Sequence, residues 1–226
     1  MRYLFTLLLS VCMITPALAQ GYTPSSTWPY LYPDFTSGDL SLTSGVTRPG
    51  VYNIHLGSGS VHFIEKDMIR EASIVDIRAL RVGEDYYLNV GGRMLKVLAQ
   101  SDNGIIAEYV EIDQVALNST GGAYGSSSST AATMGLSSLE GIGSPMVNMN
   151  HMELKNSKDE GSELPLIKKL CMVINGQIIY ANKRDVASSG LASKNDLKTF
   201  YKENKMKWKD TESLLKLLDF LAEANK

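Results

Sequence analysis

Apolar and polar residues alternate with a short period through the first half of the chain. Residues 51–56 (Val-Tyr-Asn-Ile-His-Leu) and 61–65 (Val-His-Phe-Ile-Glu) flank Gly57-Ser58-Gly59-Ser60, the pattern of two half-buried strands around a turn. Residues 74–82 are rich in β-branched side chains, and residues 86–90 and 93–99 flank Gly91-Gly92. Two adjacent glycines suit a type I′ turn, which needs positive φ at both central positions. Ser101-Asp102-Asn103-Gly104 then leads into another apolar run, 105–112. Strands this close together, joined by turn residues, predict an antiparallel meander, either a sheet or a small barrel-like domain.

The period changes towards the C-terminus. Residues 170–174 and 177–182 are joined by Asn175-Gly176, the strongest short hairpin signal in the chain. Over residues 194–204, Leu197, Phe200 and Tyr201 fall at i, i+3 and i+4, one stripe of a helix. Asn204 is placed to end that helix in the left-handed conformation. Asp210 is a good N-cap for a second helix over 211–224, with Glu212 in its first turn and Leu214, Leu217, Leu218 and Leu221 on its apolar face. In Lys205-Met206-Lys207-Trp208-Lys209 the alternation directs Met206 and Trp208 inward and leaves the lysines wet. Residues 119–161 carry Gly/Ser runs with little to bury and exceed ordinary loop lengths. They read as a flexible linker or an adaptable binding loop, more mobile than their flanks. The expected fold class is α+β, predominantly antiparallel sheet with two C-terminal helices.

Residues 1–19 add an address. A basic start at Arg2, an apolar run over 3–14 and Ala17-Leu18-Ala19 before Gln20 have the layout of a secretory signal peptide. That run is too short to span a bilayer. Val11, before Cys12, is not the small residue a lipidated cysteine usually follows, so Cys12 reads as part of the signal. The expected organisation is a signal peptide (1–19), a β-rich domain with an N-terminal arm (20–118), the Gly/Ser-rich segment (119–161), and a β-hairpin plus two helices (162–226). Cleavage would remove Arg2 and shift the formal charge from −2 to −3, a mild balance that gives no footing for nucleic acid. No later run is long enough to cross a membrane as a helix. Cys171 would be the only cysteine left, which excludes an intramolecular disulfide. Its apolar surroundings predict a buried, inert thiol.

The arm, residues 24–35 (Pro-Ser-Ser-Thr-Trp-Pro-Tyr-Leu-Tyr-Pro-Asp-Phe), is held extended by three prolines. Trp28, Tyr30 and Tyr32 either clamp the N-terminus onto the body or form a stacking platform for sugar or peptide. Three stretches carry a resemblance: residues 28–35 (Trp-Pro-Tyr-Leu-Tyr-Pro-Asp-Phe), residues 51–56 with the following hairpins, and residues 200–210 (Phe-Tyr-Lys-Glu-Asn-Lys-Met-Lys-Trp-Lys-Asp). In these the chain resembles uncharacterised exported proteins of Bacteroidota, in which a β-rich segment precedes a lysine-rich helical tail. The resemblance implies compartment and architecture and brings no active site.

Two constellations are candidates for metal. Pairing Leu56 with Val61 would set His55 opposite His62 on an outer face, either as a metal pair or as two solvated imidazoles. Met149, His151 and Met152 lie within residues 146–152 and combine soft thioethers with an imidazole, as Cu(I) prefers. No nucleophile elbow, His-Glu-x-x-His, phosphate loop or dinucleotide fingerprint occurs, and no cofactor is expected. The expected role is therefore non-catalytic: an envelope protein that binds a protein partner in the periplasm or at the outer membrane. Two alternatives stand beside it, a carbohydrate- or peptide-binding module using the arm aromatics and a hydrolase with an unrecognised site.

Overall fold

The computed structural model describes residues 30–113, 116 and 165–224. Ten strands form one antiparallel sheet: β1 (Thr36–Leu42), β2 (Thr47–Ile54), β3 (Val61–Glu65), β4 (Met68–Ala72), β5 (Ile77–Val82), β6 (Asp85–Val90), β7 (Arg93–Ser101), β8 (Gly104–Ile112), β9 (Leu166–Ile174) and β10 (Gln177–Tyr180). Their order is β10-β9-β8-β7-β6-β5-β1-β2-β3-β4. The sheet is open, with β4 and β10 as edges, so the barrel-like form of the expectation is not the one adopted. Among the described residues three helices follow the sheet: α1 (Lys183–Ser188), α2 (Lys194–Glu203) and α3 (Thr211–Ala224). The expectation had two. The addition, α1, is a short helix whose N-cap Asn182 accepts a hydrogen bond from the Asp185 backbone N–H at 2.9 Å.

The expected single meander is in fact two, β1–β4 and β5–β10, because β5 pairs with β1 and not with β4. This crossing shapes the molecule. From Ala72 to Ile77 the chain has five residue steps, which reach at most about 18 Å. Four strand spacings across a flat sheet come to about 19 Å. Part of the connection is also shortened by a 3-10 turn at Ile74–Asp76. The sheet must therefore curl, and strands on both sides of this crossing share one core cluster, with Leu40, Tyr52, Ile54, Val61, Leu80 and Tyr87.

The hairpin signals are realised. Gly91 and Gly92 take φ of 59° and 79°, and Asn175 and Gly176 take 50° and 79°, the double positive φ of a type I′ turn. β9 pairs with β8 from Leu166 to Val173, so strands on both sides of residues 119–161 belong to one sheet. At that end Ile106, Met172, Ile174 and Ile179 meet Leu197 of α2 and Leu214, Leu217, Leu218 and Leu221 of α3. Helices of 10 and 14 residues are marginal alone. Burial at about 1.5–3 kcal/mol per leucine is what holds them.

Caps fix the ends. Asp210 accepts from the Ser213 N–H at 2.9 Å, as its sequence position predicts. Asn204 does not take the left-handed conformation expected of it. It sits at φ −91°, and its amide donates to the Phe200 carbonyl at 3.1 Å, leaving the reversal to Lys205 at φ 46°. Cys171 is buried with Sγ 3.5 Å from the Ala107 carbonyl, and burial, opposed by the charge of Arg93, pushes its thiol up to about 11. Among the described residues no helix is long and apolar enough to cross a membrane.

Candidate functional site

The arm docks on the turn between β2 and β3, and there the candidate side chains converge. The register differs from the expected one by two residues. Ile54 pairs with Val61 and Asn53 with His62. His55 continues the ladder through its N–H to the Ser60 carbonyl at 2.9 Å. His55 and His62 still share a face, now diagonally, with rings stacked at 5.0 Å between centroids and 11° between planes. His55 is only 6% exposed, so this is no outer, solvated pair. The cause is a long-range contact: Tyr30 bridges to His55, and its ring meets both imidazoles edge-on at 5.4 and 5.5 Å.

Hydrogen bonds then lock the corner. Tyr30 Oη lies 2.8 Å from His62 Nδ1, and Ser60 Oγ lies 3.1 Å from His62 Nε2. Ser60 and Ser58 are joined by their hydroxyls, and the Ser58 N–H donates to His55 Nδ1 at 3.1 Å. A donor pointing at Nδ1 places the proton of neutral His55 on Nε2. The corner is thus a relay from Tyr30 through His62, Ser60 and Ser58 to His55. A serine 3 Å from an imidazole has the spacing of a nucleophile and its base, but Ser60 is buried and its hydroxyl serves the relay. Glu71 Oε2 is 3.9 Å from His62 Nε2. Among the described residues, no group of three or more His, Cys, Asp or Glu side chains is placed to hold a metal ion. Trp28, Met149, His151, Met152 and the signal segment lie outside the described residues, as do residues 119–161.

Asn53 secures the next stretch of arm. It is fully buried, accepts from the backbone N–H of Tyr32 (3.1 Å) and Ile54 (2.9 Å), and donates to the carbonyls of Tyr32 (2.9 Å) and Asp34 (3.2 Å). Tyr32 donates to Asp85 Oδ2 at 2.6 Å and lies 2.6 Å from the Tyr87 hydroxyl, which then donates to it. Lys96 Nζ completes the group 2.6 Å from Asp85 Oδ1. Burial raises the Tyr32 and Tyr87 phenols, Tyr87 to about 12. At Asp85 burial pushes upward, yet the bonds from Lys96 and Tyr32 hold the carboxyl below its ordinary value.

His62 carries a pH dependence. Burial, only partly offset by Glu71, lowers it from its ordinary 6.5. The unfolded chain therefore takes up the proton first as pH falls. Stability from this group is complete above 6.5 and declines as pH drops from there to the folded value. Urea midpoints are expected to fall between pH 7.5 and 5.5 in wild type and to change less in His62→Gln.

A second feature lies between the helices and β7–β9. It is an open groove of about 850 Å³ whose lining includes Leu98, Leu170 and Trp208, with Lys168, Lys209 and Glu108 among the charged residues. The Trp208 indole packs edge-on to Tyr201 at 5.4 Å. Leu98 is 40% exposed because the β7–β8 register shifts there, between Val97 and Ala99. Leu166, on the same face of β9 as Lys168 and Leu170 by alternation, is also 40% exposed. The sequence pattern marks neither leucine, since a bulge breaks the alternation that would show where Leu98 points. Comparison with known protein families, with curated proteins and with solved structures finds no match.

Proposed function

We propose that this is an exported, non-catalytic envelope protein of the Bacteroidota type it resembles, and that it binds a protein partner through the groove beside Trp208. The observation that carries this reading is the groove itself: exposed Leu98, half-buried Leu170 and the Trp208 indole form its apolar part, with charges of both signs around them. Tryptophan in such a setting is a typical anchor of binding energy. The arm tyrosines favour the same choice. Tyr30 and Tyr32 spend their hydroxyls inside the protein, so they serve the clamp better than a sugar platform. The large exposed apolar residues elsewhere are mostly aliphatic, Val46, Val75 and Met68 among them, which suits protein contact over glycan stacking.

Gel filtration of a native extract tests the proposal. The wild-type chain is expected to elute in an assembly well above its own mass, and Leu98→Asp, in the groove lining, to return it to the size of the lone chain. A wild-type protein that elutes alone contradicts partner binding.

A further inference from the structure

A second, smaller groove lies between α1 and α2 and shares no lining residue with the groove beside Trp208. Its volume is about 520 Å³, and every charged side chain lining it is a lysine: Lys183, Lys194, Lys198 and Lys202. Such a cluster stands out on a chain whose net charge is −2. Lys194, Lys198 and Lys202 are spaced i, i+4 and i+8 along α2, so like charges stack on one helical face, an arrangement that destabilises a helix. Lys194 also sits in the first turn, where the helix dipole disfavours a cation. Among the described residues none of the four lysines makes an ion pair. Of the three on α2, only Lys202, in the last turn, is favoured by the helix dipole.

An independent feature adds to this. Leu197 and Tyr201 also line the groove, and the Tyr201 hydroxyl is buried with no hydrogen-bond partner among the described residues. A buried O–H left unpaired is costly, and it belongs to a side chain that lines the same groove as the four lysines. We propose that the α1–α2 groove binds a phosphate group, with the lysines supplying charge and Tyr201 a directed hydrogen bond. Phosphate supplies several strong acceptor oxygens and up to two charges, which matches lysine ammonium groups and one phenol donor. The same chemistry is offered by a soluble phosphate ester and by the headgroup of an anionic lipid.

The test uses the full chain and two probes, pyrophosphate by calorimetry and flotation with phosphatidylglycerol-containing against pure phosphatidylcholine vesicles. Lys198→Ala combined with Lys202→Ala is expected to weaken binding roughly tenfold or more. Tyr201→Phe should weaken it too, with thermal stability unchanged or raised, because it deletes an unpaired buried hydroxyl. Lys205→Ala combined with Lys207→Ala, an equal loss of charge outside the groove lining, should bind as wild type does. Binding of pyrophosphate alone assigns a soluble phosphate, and vesicle binding lost in the groove variants assigns a lipid headgroup. Absence of binding to both probes overturns the proposal, and so does a control variant that loses as much as the groove variant.

Discussion

Leu218→Ala is expected to destabilise the whole protein by about 2–5 kcal/mol, whereas Lys216→Ala should stay within about 0.5 kcal/mol of wild type. Leu218 has no exposed surface and belongs to the cluster that α2 and α3 form with β8, β9 and β10. Its neighbour at the sheet is Gly104: a Cβ there would lie 3.3 Å from Leu218 Cδ1 and 2.2 Å from the Val173 carbonyl oxygen. A glycine is needed at that point because β8, β9 and α3 approach so closely. Truncating Leu218 therefore opens a cavity that its neighbours cannot collapse to fill. Lys216 is exposed and touches none of this. Thermal unfolding followed by circular dichroism checks the pair. Equal, negligible effects would mean that the helices do not dock.

Asn53→Ala should be comparably severe for a different reason. Asn53 is the buried joint between arm and sheet, and its side chain serves two backbone N–H groups and two carbonyls. Alanine leaves these groups without their partner, at about 1–3 kcal/mol for each one that stays buried and unsatisfied. A loss of several kcal/mol follows. Protease should then cut near residues 30–34 before it cuts the sheet. Loss of stability without early cleavage in the arm would show that Asn53 supports β2 alone.

Both effects arise from contacts that differ in how far the sequence announces them. The helix face was legible because Leu214, Leu217, Leu218 and Leu221 repeat at helical spacing, and Asp210 caps by local chemistry, whereas the cap at Ser193 is seen only in the structure. Asn175-Gly176 and Gly91-Gly92 were legible because a type I′ turn demands positive φ. The β3–β4 turn was not, since Lys66 and Asp67 adopt φ of 50° and 58° without a glycine to signal it. The return of β5 to β1 is a long-range pairing with no local signature. The histidine corner was half legible. Alternation put His55 and His62 on one face, but the register is closed by the local turn, with Gly59 donating to the His55 carbonyl, and the burial of His55 comes with Tyr30, which lies 25 positions away in the chain. Leu98, the exposed leucine of the groove, stayed hidden behind a bulge.

The central claim is that the groove beside Trp208, and not the aromatic arm, is the working surface. Photo-crosslinking from single positions in the intact envelope tests it most directly, with the probe placed at Leu98 or, in a second variant, at Tyr86, an exposed aromatic on a strand outside the groove lining. One discrete protein adduct is expected from Leu98, lost when Trp208 is replaced by alanine, and none from Tyr86. Adducts of equal yield from both positions, or an adduct from Leu98 that survives Trp208→Ala unchanged, would contradict it.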